Sequence, residues 1–278
     1  VCFFDSLPYL LTMVRLHPAC LAVALAAAAG IPTTHAGRIL NLGPGKAVDA
    51  TGLLPGAALP LHAGNSDGLD NEPHSFVPDD PLYDDQWHLD EVNIQAAWDR
   101  GYSGAGVTIG IIDDGVQVTH PDLNLSLADS YDFVDGDADP SPTLTNQNHG
   151  TAVAGVAAAT GGNALGVASP AYAASIAGLK VGFSGLGTSQ QFIDATMHRS
   201  ASADPAQNTI DIKNHSYGIA APYIDAASIR AEVSALTLSA AAGTLHVLSA
   251  GNEGGDANWK RLQASENALV VSATADDG

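Results

Sequence analysis

The feature that most constrains this chain is an apolar run with no polar alternation. "GVTIGIID", residues 106–113, is β-branched and continuous. A strand buried on one face alternates apolar with polar, whereas a strand buried on both faces reads as an unbroken run. Further strands are read at "ASIAGLKV" (174–181), "TIDIKNHSYG" (209–218), "TLHVLSAGN" (244–252) and "ALVVSATA" (268–275). Helical stretches lie between these runs, at 149–160, 188–201 and 224–243, with Thr188 as a cap and Gly243 as a stop. Strands alternating with helices predict an α/β fold with a mainly parallel central sheet flanked by helices on both faces. In that architecture ligands sit beyond the carboxyl ends of the strands.

One of those helices is unusual. "NHGTAVAGVAAAT", residues 148–160, opens on Asn148 and His149 and continues through small or β-branched residues without a charge. A helix that is apolar all round is a buried one. Small side chains let other backbone approach it, and a histidine at its start stands at the rim of the core, where a helix terminus faces a site.

Composition excludes one class of partner. The 278 residues carry a net charge of −20, and no lysine or arginine occurs between Arg100 and Lys180. Nucleic acid demands basic surface, so it is not an expected partner. The acidic balance suits solubility and equally suits bound cations or cationic peptides. With 46% apolar residues, the chain can build a sizeable core.

Residues 1–36 read as a signal peptide with a start at Met13. Arg15 is its positive end, Cys20 to Ile31 its apolar stretch, and Thr34-His35-Ala36 its cleavage site. The run is too short and too alanine-rich to read as a membrane span. A secreted or periplasmic location follows. Both cysteines, Cys2 and Cys20, fall inside this segment, so residues 37–278 hold no disulfide. Residues 37–78, rich in Gly, Pro, Ala and Asp, read as a linker or short pro-segment. Residues 79–278 form the expected folded domain, in part or whole.

Polar residues then collect at strand ends. Asp113 and Asp114 end the first strand, His149 opens the small helix, Asn214, His215 and Ser216 end another strand, and Asn252 follows "VLSAG". A carboxylate fixes the tautomer of a histidine that acts as general base. An asparagine amide at a separate strand end can donate to a developing oxyanion. Taken singly, Asp-Asp-Gly reads equally as a turn, and one histidine as a structural residue.

Together these segments carry a resemblance. "IIDDGVQVTHPDL", "NHGTAVAGVAAAT" and "VLSAGNEGG" resemble the aspartate, histidine and oxyanion-asparagine segments of the subtilisin-like serine proteases, in the same order. "DDPLYDDQWHL", "AAWDRGYSGAGV" and the doubled Asp113-Asp114 are similar to the kexin/furin branch. The resemblance implies a subtilisin-like three-layer fold and a peptide or protein substrate cleaved by acyl transfer to a serine. It assigns Asp113 to orient His149, His149 as general base, and Asn252 as the oxyanion donor. Ser216, Tyr217 and Gly218 become the edge that pairs with substrate as an added strand. It also implies structural calcium, with Asp80, Asp122 and Asn163 as ligands.

Two departures from the family pattern follow. The nucleophile of the family lies in a Gly-Thr-Ser segment near the start of a late helix, and no such segment appears after Asn252. Gly187-Thr188-Ser189 precedes the asparagine and follows the wrong strand, so Ser189 is not the expected nucleophile. A C-terminal continuation of the domain is therefore expected, and residues 37–278 alone are expected to be inactive. The alternative is a non-catalytic pseudoprotease or peptide-binding domain on the same frame. A nucleotide or metal-hydrolase site is disfavoured, because no glycine-rich phosphate loop follows the first strand. Specificity departs too. Asp114 is placed to favour a basic residue in the second pocket, but the residues near Ala221 are apolar and Asn146 stands where the kexin/furin branch places an acid. Relaxed specificity follows, unless the loop carries Asp225 into the first pocket.

Overall fold

The computed structural model describes residues 76–183, 187–218 and 227–273. The leader, nearly all of the 37–78 linker, Ala221 and Asp225 lie outside the described residues. Six strands form one sheet: β1 Thr108–Asp113, β2 Tyr131–Asp132, β3 Ser175–Lys180, β4 Ile212–His215, β5 Leu245–Ser249 and β6 Leu269–Val271. Their spatial order is β2-β3-β1-β4-β5-β6, and every neighbouring pair is parallel. After β1 the chain turns toward β2 and β3, and after β4 it turns the other way, toward β5 and β6. The carboxyl ends of β1 and β4 therefore flank a topological switch point, where such sheets open a crevice for ligands.

The register explains the continuous apolar runs. Ile109 and Ile111 of β1 share a face with Ile176 of β3, Ile212 of β4 and Val247 of β5. That face is covered by α3, His149–Ala158, through Val153, Ala154, Ala157 and Ala158. Ile112 points the other way, with Leu179, into Ala195 of α4, Ser189–Met197. Leu248 and Val270 meet Leu236 of α5, Ala227–Ala241, on that second face. Each strand thus buries both faces, and no polar alternation is available to it.

The helix ends follow the local chemistry. Thr188 caps α4 in a capping box: its hydroxyl accepts the Gln191 amide, and the Gln191 side chain accepts the Thr188 amide. Gly243 beyond α5 has φ +112°, a conformation that favours glycine. α4 ends at Met197, short of the expected 201, because His198 turns extended (ψ 126°) and Arg199 adopts φ +53°. The strand expected over 209–218 is confined to 212–215. Two short helices were not legible, α1 Trp87–Glu91 and α2 Gln95–Trp98, each barely a turn long. Leu89, Ile94 and Trp98 from this segment pack with Phe76 and Tyr172, and the Trp98 indole donates to the Pro170 carbonyl at 3.0 Å.

Candidate active site

The site begins where β1 meets the start of α3. Asp113 is the last residue of β1, with its side chain only 3% exposed. Both of its carboxylate oxygens lie 2.9 Å from His149 Nδ1. Gly150 makes this approach possible. A Cβ there would strike the Gly115 carbonyl oxygen and stand 2.8 Å from Asp113 Cβ. The sequence His-Gly at the helix start is therefore what brings the imidazole onto the strand end.

Asp114 completes the junction. Its Oδ1 accepts the Gly150 amide at 2.7 Å, and its Oδ2 accepts the His149 amide at 3.3 Å. Asn148, the residue before α3, makes no side-chain cap of its own. The first amides of a helix lack intrahelical partners and carry the positive end of its dipole, so a carboxylate is favoured there. Asp114 caps α3 from the neighbouring strand. Its engagement with the helix start was not foreseen from the sequence, where it reads as a pocket residue. A carboxylate directly after the strand-end aspartate, facing a helix whose Ncap makes no bond, was the available signal.

The electrostatics divide the two carboxylates from the imidazole. Hydrogen bonding to Asp113 raises the His149 pKa above the usual 6.5, against the lowering effect of burial, with the charges of Asp113 and Asp114 adding to the rise. Burial raises the Asp114 pKa, and the neighbouring Asp113 charge reinforces it. The His149 side chain remains 42% exposed. With Nδ1–H donated to Asp113, the neutral ring carries its basic lone pair on Nε2, the arrangement a general base requires.

The other expected residues fall on the same edge of the sheet. Asn252 lies just beyond the carboxyl end of β5 and is exposed. The turn that presents it is tight: Gly251 has φ +99°, and the Lys260 ammonium pairs with Glu253 while donating to the Ala250 carbonyl. Ser216, Tyr217 and Gly218 leave the end of β4, with Asn214 Nδ2 donating to Ser216 Oγ at 2.8 Å. Ser189 is elsewhere. It opens α4, on the face of the sheet opposite α3, and its hydroxyl is bonded to Glu232 of α5.

Asp80, Asp122 and Asn163 also converge. Asp80 and Asp122 are buried. Asp80 accepts the Gly162 and Asn163 amides at 2.7 and 3.3 Å, and Asp122 accepts from Asn163 Nδ2 at 2.8 Å and from the Val167 amide at 3.2 Å. A Cβ at Gly166 would strike Asp122 Oδ2. Burial raises the Asp122 pKa, and the Asp80 charge adds to the rise. No group of three or more His, Cys, Asp or Glu side chains gathers as a metal cage among the described residues. The residues here offer two carboxylates and one side-chain amide, the hard oxygen donors of calcium and not the thiolate or imidazole donors of zinc.

Comparison with known proteins fits this geometry. The subtilase family model matches residues 104–278, and the chain belongs to that family of serine peptidases. Its curated likenesses are of the furin and kexin type. Human furin is 36% identical over 151 residues, which is 51% of this chain and 18% of furin. The dibasic-processing endoprotease of Schizosaccharomyces pombe is 40% identical over 129 residues, 43% of this chain and 18% of that enzyme. The chain thus matches 18% of the length of either relative. Among solved structures, the serine protease of Aeromonas sobria aligns with a TM-score of 0.63 at 25% identity, covering 77% of this chain and 43% of that one. A protease from Pseudoalteromonas arctica aligns with a TM-score of 0.56 at 28% identity, covering 66% and 61% of the two chains.

Proposed function

We propose that the chain carries the acid–base machinery of an exported serine endopeptidase. The observation that supports this most is the contact of both Asp113 oxygens with His149 Nδ1 at 2.9 Å. In this reading Asp113 holds the imidazole in the Nε2-basic tautomer and stabilises the imidazolium formed when the nucleophilic serine is deprotonated. His149 then returns that proton to the leaving amine. Asn252 donates to the tetrahedral oxyanion, a contact worth about 3 kcal/mol in the transition state. Residues 216–218 accept the peptide as an added strand. The serine itself is proposed to come from a segment other than 187–189, since Ser189 is engaged with Glu232.

Calcium is proposed at Asp80, Asp122 and Asn163. It would neutralise two buried carboxylates and tie the segment around residue 80 to the loop after α3. Export is proposed from the apolar N-terminal run, and no helix among the described residues is long and apolar enough to cross a membrane. The relative from Schizosaccharomyces pombe is named for dibasic processing. Here the apolar residues near Ala221, together with Asn146 in place of an acid, support relaxed specificity. Asp114 retains a preference for a basic residue in the second pocket.

The test is cleavage of an unfolded protein by the full-length gene product. Cleavage is expected, with His149→Ala lowering kcat by about 10⁴-fold or more. Undiminished cleavage by His149→Ala would overturn the assignment. A preference of about 100-fold or more for Arg at the cleaved bond, the discrimination that one desolvated ion pair supplies, would overturn relaxed specificity.

A further inference from the structure

A chain of buried polar side chains runs behind the proposed substrate strand. Lys213 of β4 is fully buried and meets no carboxylate among the described residues. Its Nζ shares its three hydrogens among four acceptors, the carbonyls of Ala195, Thr196 and His198 at 3.0, 2.7 and 2.6 Å, at the carboxyl-terminal end of α4, and Ser200 Oγ at 2.6 Å. These carbonyls are the negative end of the helix dipole, which suits a cation. From Ser200 the contacts continue to Ser239 Oγ (2.8 Å), His246 Nε2 (2.9 Å), His246 Nδ1 to His215 Nε2 (2.9 Å), and His215 Nδ1 to the Tyr217 hydroxyl (2.8 Å). All members but Tyr217 are buried, and Tyr217 is the central residue of the 216–218 segment.

One donor order is consistent with every contact in this chain. Ser200 has one hydrogen, directed at the Thr196 carbonyl at 3.0 Å, so its oxygen accepts from both Lys213 and Ser239. Ser239 must then accept from His246 Nε2–H. His246 Nδ1 is left as an acceptor for His215 Nε2–H, and His215 Nδ1 accepts from the Tyr217 hydroxyl. Both imidazoles are thus neutral, with the hydrogen on Nε2. The charged and titratable groups that bear on this chain are Lys213 on the imidazoles, and Glu232 of α5 and Asp113 of β1 on Tyr217.

We propose that His215 and His246 are positioning residues for the substrate strand: they fix the Tyr217 ring, and through it the backbone of 216–218 that pairs with the peptide. Tyr217 is held on its other side by Phe192 and Phe183, with centroids 4.7 and 6.1 Å away, so the ring has an apolar wall and a hydroxyl bonded to His215 and to the Thr196 side chain. A tyrosine fixed in this way sets the pitch of an extended segment that has left the sheet ladder. The inference rests on the peptidase reading of 216–218.

The test uses the full-length gene product, which supplies the serine, and two readouts. In ¹⁵N imidazole spectra at pH 7, His215 and His246 are each expected to carry one hydrogen, on Nε2. A doubly protonated ring, or an Nδ1–H tautomer in either, overturns the donor order. In the second readout, steady-state cleavage of an unstructured peptide is compared between the wild type and Tyr217→Phe, a change that keeps the ring and removes its hydroxyl bonds to His215 and Thr196. KM is expected to rise about tenfold, the factor of one ordinary hydrogen bond, with kcat within about twofold. Unchanged KM overturns the positioning role. If the wild type cleaves no peptide, the peptidase reading fails by itself. Amide exchange at 216–218 then decides the positioning role: faster exchange in Tyr217→Phe upholds it, and equal exchange overturns it.

Discussion

His149 opens a helix packed on the sheet and His215 ends a strand within it, and the two imidazoles respond to their surroundings in opposite ways. His149 stands at the edge, 42% exposed, with a carboxylate on its Nδ1. His215 is buried, with a phenol on one nitrogen and an imidazole on the other. Hydrogen bonding to Asp113 lifts the His149 pKa above 6.5, whereas burial, reinforced by the Lys213 charge, drops that of His215 to about 3. His246 is likewise held well below 6.5 by burial. The difference teaches that burial, reinforced by a neighbouring positive charge, empties an imidazole of its proton, and that one well-placed carboxylate reverses the outcome. A base that must capture a proton near neutral pH needs the first arrangement, and a neutral spacer needs the second.

The largest expected effect comes from breaking the edge pair. Asp113→Asn keeps the shape and removes the charge, and kcat in the full-length enzyme is expected to fall about 10⁴-fold, read by steady-state cleavage. The wild-type rate should also fall as pH drops through the raised His149 pKa, because only the neutral ring accepts a proton.

The second effect separates the two histidine environments by stability. In the unfolded chain His215 and His246 take up protons below about pH 6.5, while the folded state refuses them. Stability is therefore expected to fall as pH drops below about 6.5, with a slope of up to about 1.4 kcal/mol per pH unit for each ring, and the His215 part continues toward its folded value of about 3. His149 contributes the opposite sign: its stabilisation is present below about pH 6.5 and is lost as pH rises through its raised folded value. Denaturant unfolding between pH 4.5 and 7.5, on the wild type and on His246→Leu, reads the slope. A slope in the variant as steep as in the wild type would contradict the buried pair.

Smaller effects test the junctions. Calcium removal is expected to lower Tm by roughly 5–15 °C, the range that several kcal/mol of ligand binding gives a domain of this size, with Asp122→Asn abolishing the response. Gly150→Ala is expected to cost about 1–3 kcal/mol through overpacking against the Gly115 carbonyl and Asp113. Asp114→Ala, which leaves two amides of α3 uncapped, is expected to cost about 0.5–2 kcal/mol. Thermal and denaturant melts measure all three.

Much of this was legible in the chain. The unbroken run at 106–113 could belong only to a strand covered on both faces, and the small residues of 149–158 to a helix lying against it. Asp113 and His149 were legible because three segments resemble one family in order. The short helices at 87–98 escaped because four or five residues show no period. The roles of Gly150 and Asp114 escaped because they depend on how closely one strand end approaches one helix start, a distance no pattern encodes. The buried chain left a trace: His246 interrupts the otherwise apolar start of β5, and Lys213 lies in a strand buried along its length, where a charged residue asks for a partner. Which partner was unreadable, since Ser200, Ser239 and His246 meet only once α4, α5 and β5 have packed.

The central claim is that Asp113 makes His149 a base, and an NMR titration of the His149 imidazole tests it most directly. The account expects a midpoint above 6.5 in the wild type and a downward shift in Asp113→Asn. A wild-type midpoint at or below 6.5, unmoved by the substitution, would contradict it.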